Sequence, residues 1–504
     1  MSQAQAAKLE QYEITDAVSS FLASPRKMLV GDGWVDAKSG RTLDVLDPAT
    51  NRLITSVPAA DSADVDDAVR AAEQAFVSPD WGGLSPAERE SLLLKVADVI
   101  ETRADDFSQI ITLECGKPLA ESDEEIADAL STWRYCAAWA TRIEGSSVNP
   151  INPIIPEKSA FGYTRKEPIG VVGAIIPWNF PLINAVDRVA PALTAGCTVV
   201  LKPAEQTPLT ALLLGEAALE AGLPAGVLNV LTGFGPEAGS PLAAHPGIGK
   251  VAFTGSTSVG KLIGKAAMEN ITDVNLELGG KSPMIVLEDG VDDDMLPWLA
   301  AGLFYNSGQV CTAGSRLYAH KKVFDKVVAG VADIAGSLKL GHGLEAETEM
   351  GPLVSPEQQQ RVLGYIDSGV EAGAETVTGG KQWGTEGCFV EPTIFTNVHD
   401  RMKVVKEEIF GPVMVAIPFA DEAEVLEKAN NTSYGLTASI WSNDLSKVNR
   451  LIPRLKAGLV WVNAHNLLDL ALPFGGVKQS GIGRENGLDG VEEYLETKTV
   501  IMYS

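Results

Sequence analysis

Basic residues are scarce in this 504-residue chain: 40 Lys plus Arg stand against 66 Asp plus Glu, a formal net charge of −26. That argues against the cationic field by which proteins hold nucleic acid or an anionic membrane without sequence selectivity, although a global sum leaves a local basic patch open. The acidic excess reads as solubility. Histidine is rarer still, with five residues (245, 320, 342, 399 and 465) and no metal-ligand spacing among them, so no metal site is expected. The five cysteines (115, 136, 197, 311 and 388) are odd in number and contain no CxxC pair. A disulfide framework and a zinc site are thereby excluded, and a reduced, cytoplasmic protein is expected. Met1 to Glu10 has no apolar core behind a basic lead, so no secretory signal is expected there. Long apolar runs are lacking too. Pro168 to Val186 comes nearest, but Pro177, Asn179, Pro181, Asn184 and glycines at 170 and 173 break it, and it reads as a buried strand and turn.

What remains is ample for a large core: 45% of residues are hydrophobic and 21% charged, over a length that suits two or three domains. Ser85-Pro86-Ala87-Glu88 is a capping box with proline at the first helical position, followed by Leu92, Leu93, Val96, Val99 and Ile100 at helical spacing. From Gly170 the pattern alternates. Val171–Ile176, Thr198–Leu201, Val227–Leu231 and Val251–Phe253 read as strands, with helices after the second (Thr210 to Ala221) and the fourth (to about Glu269). This rhythm predicts α/β architecture with a doubly wound parallel sheet, whose ligands bind at the carboxyl ends of the strands. It restarts after Gly280 and runs to about Gln479, which predicts a second α/β domain. Ser146 to Pro156, with three prolines, reads equally as an edge hairpin for subunit contact or as a surface loop. The tail ends in a β-type run, Thr497 to Tyr503.

Four segments could carry chemistry. Gly255-Ser256-Thr257-Ser258-Val259-Gly260-Lys261 nearly matches a phosphate-binding P-loop, but Leu262 stands where a magnesium-binding hydroxyl is needed. The other reading is a Gly-rich turn whose helix N–H groups receive a pyrophosphate. Cys311 is flanked by small and polar residues (Asn306 to Ser315), unlike the other four cysteines, which read as core. A thiolate there would attack a carbonyl carbon, its pKa lowered by helix termini or cations. Glu277 stands in an apolar strand that ends at Gly279-Gly280, where burial would tune it toward a general base. Asn179, in the proline-stiffened Pro177–Pro181 turn, offers an amide donor to a developing oxyanion, or is a buried structural amide.

Together these segments resemble the aldehyde dehydrogenase superfamily, from about Leu29 to the C-terminus. The motifs are PWNFP (177–181), KPAEQTP (202–208), FTGSTSVGK (253–261), LELGGKSP (276–283), GQVCTAGSR (308–316), EEIFGPV (407–413) and PFGGVKQSGIGRE (473–485). The resemblance implies Cys311 as nucleophile, Glu277 as general base, and Asn179 with the Cys311 N–H as oxyanion hole. It implies NAD as cofactor, with Lys202 and Glu205 on the adenosine ribose, Gly255 and Ser256 at the pyrophosphate, and Ile176, Pro177, Trp178, Leu278, Glu408 and Phe410 completing the coenzyme site. Phe180, Asn184, Asp187, Tyr305, Val310, Thr312, Leu468 and Phe474 would line a substrate tunnel, although relatives commonly place large apolar residues at 184 and 187.

The implied domains are 1–144 with 164–279 for NAD, 280–479 for catalysis, and a small β element, 145–163 with 480–504, for oligomerisation into a dimer or tetramer. The implied substrate is a small aldehyde, of the phenylacetaldehyde type on softer likenesses such as Trp133-Arg134-Tyr135 and Leu467-Leu468-Asp469. A broad aliphatic specificity is the alternative. A carboxylate at 277 favours hydrolysis of a thioester over acyl transfer to coenzyme A. Two other classes stand against this: a thiol hydrolase pairing Cys311 with a histidine, and an inactive scaffold. The first leaves KPAEQTP and FTGSTSVGK unexplained, and the second does not account for Cys311, Glu277 and Asn179 standing together.

Overall fold

The computed structural model describes residues 12–149, 158–291 and 294–504. Val171–Ile175 and Thr198–Lys202 are buried at every position, as strands covered on both faces must be. They lie at the centre of an eight-stranded sheet ordered 481–482, 273–277, 250–254, 171–175, 198–202, 228–230, 28–30, 33–35. Its five middle strands run parallel, and antiparallel partners close both edges. Side chains alternate between two cores. Val172 and Ala174 join Leu193, Leu212 and Trp133 on one face, while Val171 and Ile175 join Val65, Val69 and Leu242 on the other. Each such Leu or Val stabilises the fold by about 1.5–3 kcal/mol on burial. The sheet is doubly wound.

The second sheet has seven strands, ordered 375–378, 393–396, 413–419, 316–320, 283–286, 437–441, 459–462, all parallel except the first. It too separates two cores, one around Ile285, Val415 and Ile440 and one around Met284, Leu317 and Met414. A three-stranded antiparallel sheet joins Leu495–Tyr503, Ala160–Pro168 and Ser147–Val148. Of the Ser146–Pro156 stretch, residues 150–156 lie outside the described residues. Among the described residues no helix is long and apolar enough to cross a membrane. The Pro168–Val186 run is a buried strand, a turn and the start of helix Pro181–Ala195.

Register decides what meets at the edge of the first sheet. Glu277 pairs with Thr254, Phe253 with Ile175, and Ile175 with Lys202. The four segments that follow these strands therefore leave from one edge, at the carboxyl ends where open α/β sheets bind ligands. Local signals set the helices behind them. Pro181 opens one and Gly196, at φ +99°, closes it. Ser256 caps Thr257–Met268 by accepting the Val259 N–H at 3.3 Å.

Candidate active site

Asn306, Ser307 and Gly308 take three successive left-handed conformations (φ +46°, +55° and +73°) just before Cys311. Two of them carry a Cβ, which costs about 1 kcal/mol or more each unless local bonds hold them. Those bonds are present. The Asn306 N–H donates to the Glu121 carboxylate at 3.0 and 3.1 Å, its side-chain amide to the Asn179 carbonyl at 2.7 Å, and its own carbonyl accepts the Gln309 N–H at 3.0 Å. Ser307 Oγ donates to the Gly351 carbonyl at 2.7 Å. The Asn179 amide then donates to the Gln309 carbonyl at 2.8 Å, two residues before the thiol. One of its two N–H bonds is used in this way, which leaves the second for a ligand. Behind the thiol, a Cβ on Gly280 would stand 2.3 Å from the Cys311 carbonyl oxygen, so only glycine admits this approach.

Carboxyl groups surround this loop. Glu277 is 4% exposed, and neither of its carboxyl oxygens has a hydrogen-bond partner. Burial, and then the neighbouring Glu485, hold it well above the ordinary carboxylate range, against the pull of Arg188 and Arg484. Burial likewise raises Glu408 to about 7 although its Oε1 accepts the Gly280 N–H at 2.8 Å. Cys311 is the one partly exposed cysteine of the five. Its thiol is pushed up to about 12, by burial first and then by Glu277, Glu408 and Glu485. The lowered thiol pKa expected from the sequence is thus corrected: the fold buries the sulfur and sets acids beside it, and the Thr312 N–H offsets part of this.

Toward solvent the cleft changes character. Lys202 is buried, its pKa lowered by desolvation, and it reaches Glu205 at 3.4 Å. Its carbonyl accepts the Ile176 N–H at 3.1 Å, which fixes the start of the Pro177–Pro181 turn. Trp178 and Phe410 meet edge to face, ring centroids 5.3 Å apart, with Phe410 itself at φ +60°. Ser256 is exposed at its helix start, Gly255 donates to the Glu277 carbonyl at 3.1 Å, and Leu278 donates to the Ser480 carbonyl at 2.9 Å. A dinucleotide fits this donor set. Helix N–H groups without intrahelical partners suit a pyrophosphate, and a lysine beside a carboxylate suits vicinal hydroxyls.

The aldehyde dehydrogenase family model matches residues 34–500. The chain belongs to the aldehyde dehydrogenase family. Its activity is aldehyde oxidation. It is 48% identical to phenylacetaldehyde dehydrogenase of Pseudomonas fluorescens over 95% of this chain and 96% of that one. It superposes on the NAD+ complex of an aldehyde dehydrogenase from Bacillus cereus with a TM-score of 0.94, at 46% identity, covering 97% of this chain and 99% of that one. An NAD-dependent aldehyde dehydrogenase from Sinorhizobium meliloti matches with a TM-score of 0.92 and 41% identity, over 95% of each chain.

The tunnel residues expected from the sequence divide into two groups. Phe180 and Tyr305 stack with centroids 6.2 Å apart, and Val310, Thr312 and Phe474 are buried. Thr312 Oγ1 donates to Asn466 Oδ1 at 2.7 Å. Asn184 turns inward, its amide donating to the Phe180 carbonyl at 2.9 Å. Asp187 lies 3.8 Å from Arg188, and burial raises it to about 8. Leu468 is 52% exposed.

Sequence reasoning missed the buried supports. Arg188 joins Glu485 to Thr254. Lys281 is buried with no partner for its Nζ and is lowered to about 7, chiefly by desolvation. His465, 154 residues from Cys311 in the chain, donates to or accepts from Ser439 Oγ through Nδ1 and reaches the Thr312 carbonyl through Nε2, both at 3.0 Å. Glu485 and Lys281 stood within recognisable motifs, but their roles depend on neighbours far away in the chain.

Proposed function

We propose that the enzyme oxidises an arylalkyl aldehyde of the phenylacetaldehyde type with NAD, through a thioester on Cys311. The observation that supports it best is the pairing of Asn179 with the Cys311 loop, beside a Glu277 carboxyl whose two oxygens have no partner. Lys202 and Glu205 would hold the adenosine ribose, Gly255 and Ser256 the pyrophosphate, and Glu408 and Phe410 the nicotinamide ribose and ring, flanked by Ile176, Pro177, Trp178 and Leu278. Bound there, NAD supplies the hydride acceptor. Cys311 gives up its proton to solvent and attacks the aldehyde carbon as thiolate, and the developing alkoxide accepts hydrogen bonds from the free Asn179 N–H and the Cys311 N–H. Loss of hydride leaves a thioester. Glu277, as carboxylate, then takes a proton from water while the water oxygen bonds to the thioester carbon; the C–S bond breaks, the acid leaves, and Glu277 returns the proton to the sulfur.

The substrate class rests on the stacked Phe180 and Tyr305, which offer an aromatic face, and on the likeness to phenylacetaldehyde dehydrogenase. In this reading the first sheet binds coenzyme, the second carries the thiol, and the three-stranded sheet pairs copies of the chain. A thiol hydrolase would need a free histidine. His465 is near, but both its ring nitrogens are engaged, and burial lowers it to about 4. Steady-state kinetics test the proposal. NADH should form with phenylacetaldehyde at a higher kcat/KM than with acetaldehyde, and Cys311→Ala should abolish it while NAD still binds. Turnover by the alanine variant sinks the mechanism, and equal efficiency on acetaldehyde sinks the substrate class.

A further inference from the structure

Helix Leu119–Trp139 carries two buried glutamates one turn apart, Glu121 and Glu125, which therefore share a face. Each spends its carboxylate on the backbone of a different loop. Glu125 Oε1 accepts the Leu182 and Ile183 N–H groups at 2.8 and 3.1 Å, in the first turn of the helix that follows Asn179 and Phe180. Its Oε2 accepts Lys117 Nζ at 2.6 Å, and that ammonium lies 3.8 Å from the centre of the Phe180 ring. Glu121 accepts the N–H of Asn306, the first left-handed residue of the Cys311 loop. Asn306 and Asn179 are then tied directly, by the Asn306 side-chain amide on the Asn179 carbonyl at 2.7 Å.

We propose that Glu121 is a positioning residue for the oxyanion hole: by holding Asn306 in its left-handed conformation it sets the Cys311 N–H against the Asn179 amide before substrate arrives. This rests on the reading of Cys311 and Asn179 given above. The physical need is specific. The hole requires two donors from segments 132 residues apart in the chain, and rigid placement to within about 0.5 Å. Glu125 fixes one segment and Glu121 the other, from a single rigid helix. Asn306 is a Cβ-bearing residue in a costly conformation, so its N–H needs a buried acceptor to keep it there. Burial raises the Glu121 carboxyl to about 8, against the pull of Lys117 and the Asn306 N–H, so this carboxyl is costly to bury.

Glu114 supplies an internal control. It too is buried, more deeply than Glu121, and also spends its carboxylate on backbone, accepting the Leu209 and Thr210 N–H groups at 2.7 and 2.9 Å, but it faces helix Leu209–Glu220 and not the Cys311 loop. The experiment compares Glu121→Asp, Glu121→Gln and Glu114→Asp in the full-length protein. Aspartate withdraws the acceptor by one methylene, whereas glutamine keeps an oxygen in place.

Glu121→Asp should lower kcat by about 10- to 100-fold, the scale for a misplaced donor, with KM for NAD within about twofold. Glu121→Gln should recover kcat to within a few-fold of wild type. Glu114→Asp should lower Tm by a similar amount and leave kcat unchanged. A folded Glu121→Asp with wild-type kcat overturns the proposal. So does an equal loss of kcat in Glu114→Asp, because the effect would then be one of general stability. Activity in Cys311→Ala would instead overturn the underlying mechanism, so the two failures read differently.

Discussion

The two halves of the cleft are built on opposite principles. On the side proposed for the coenzyme, Ser256 is exposed and Glu205 half-buried, and the groups proposed to bind are backbone N–H groups and one lysine–glutamate pair. On the thiol side, Glu277, Asn179 and Asn306 are buried; the Asn306 N–H and one Asn179 N–H are bonded to protein, and the Glu277 oxygens have no partner. A cleft edge that exchanges a coenzyme every turnover gains from solvation and from groups that need little rearrangement. A site that stabilises a transient charge gains from dryness, where each hydrogen bond counts for more. The cost is carried by the carboxyls and the thiol, all of which burial pushes toward their neutral forms.

The contrast breaks most plainly at Glu277. Replacing it with glutamine keeps shape and burial but removes the proposed proton acceptor, so turnover should fall by about 10²–10⁴. A single equivalent of NADH per site should still be released, and intact-mass spectrometry should show the acyl adduct. No adduct would mean that the carboxyl acts at another step.

The thiol's pH response is the next largest effect. A thiol raised from its usual value to about 12 stays protonated at pH 8 in the free enzyme. The sign is fixed: the thiolate fraction rises with pH all the way to that pKa. Alkylation of Cys311 by iodoacetamide should therefore accelerate about tenfold per pH unit from 7 to 10 without a plateau. A plateau near pH 8 would show that the surrounding acids do not govern the sulfur.

On the open side the effects should be small. Glu205→Gln removes a like charge from the place where the 2′-phosphate of NADP would lie, a repulsion of about 1 kcal/mol in water. NAD should be preferred in the wild type, and the variant should narrow the gap by about five- to tenfold, mainly by improving NADP. Steady-state kinetics with both coenzymes check this, and a wild-type preference for NADP would refute it.

Much of this was legible in the sequence, because it depends on short-range rules. The runs Val171–Ile176 and Thr198–Leu201 could only be strands buried on both faces, and the capping box at Ser85 could only open a helix; both are found. The four core cysteines were separable from Cys311 by their flanking residues alone. The electrostatics were not legible. Nothing near Cys311 in the chain reveals how deeply its thiol is buried or that Glu277, Glu408 and Glu485 converge on it, and burial first, then these acids, reversed the expected direction of its pKa. Glu121 lies 185 residues from Asn306, and His465 lies 153 from Thr312. Hydrophobic period, caps and turn residues act over a few positions, so the sequence by itself determined the elements, the layers and the family motifs. A pKa or a donor's aim depends on every charge and dipole within several ångströms, whatever its place in the chain, and only the tertiary structure decided those.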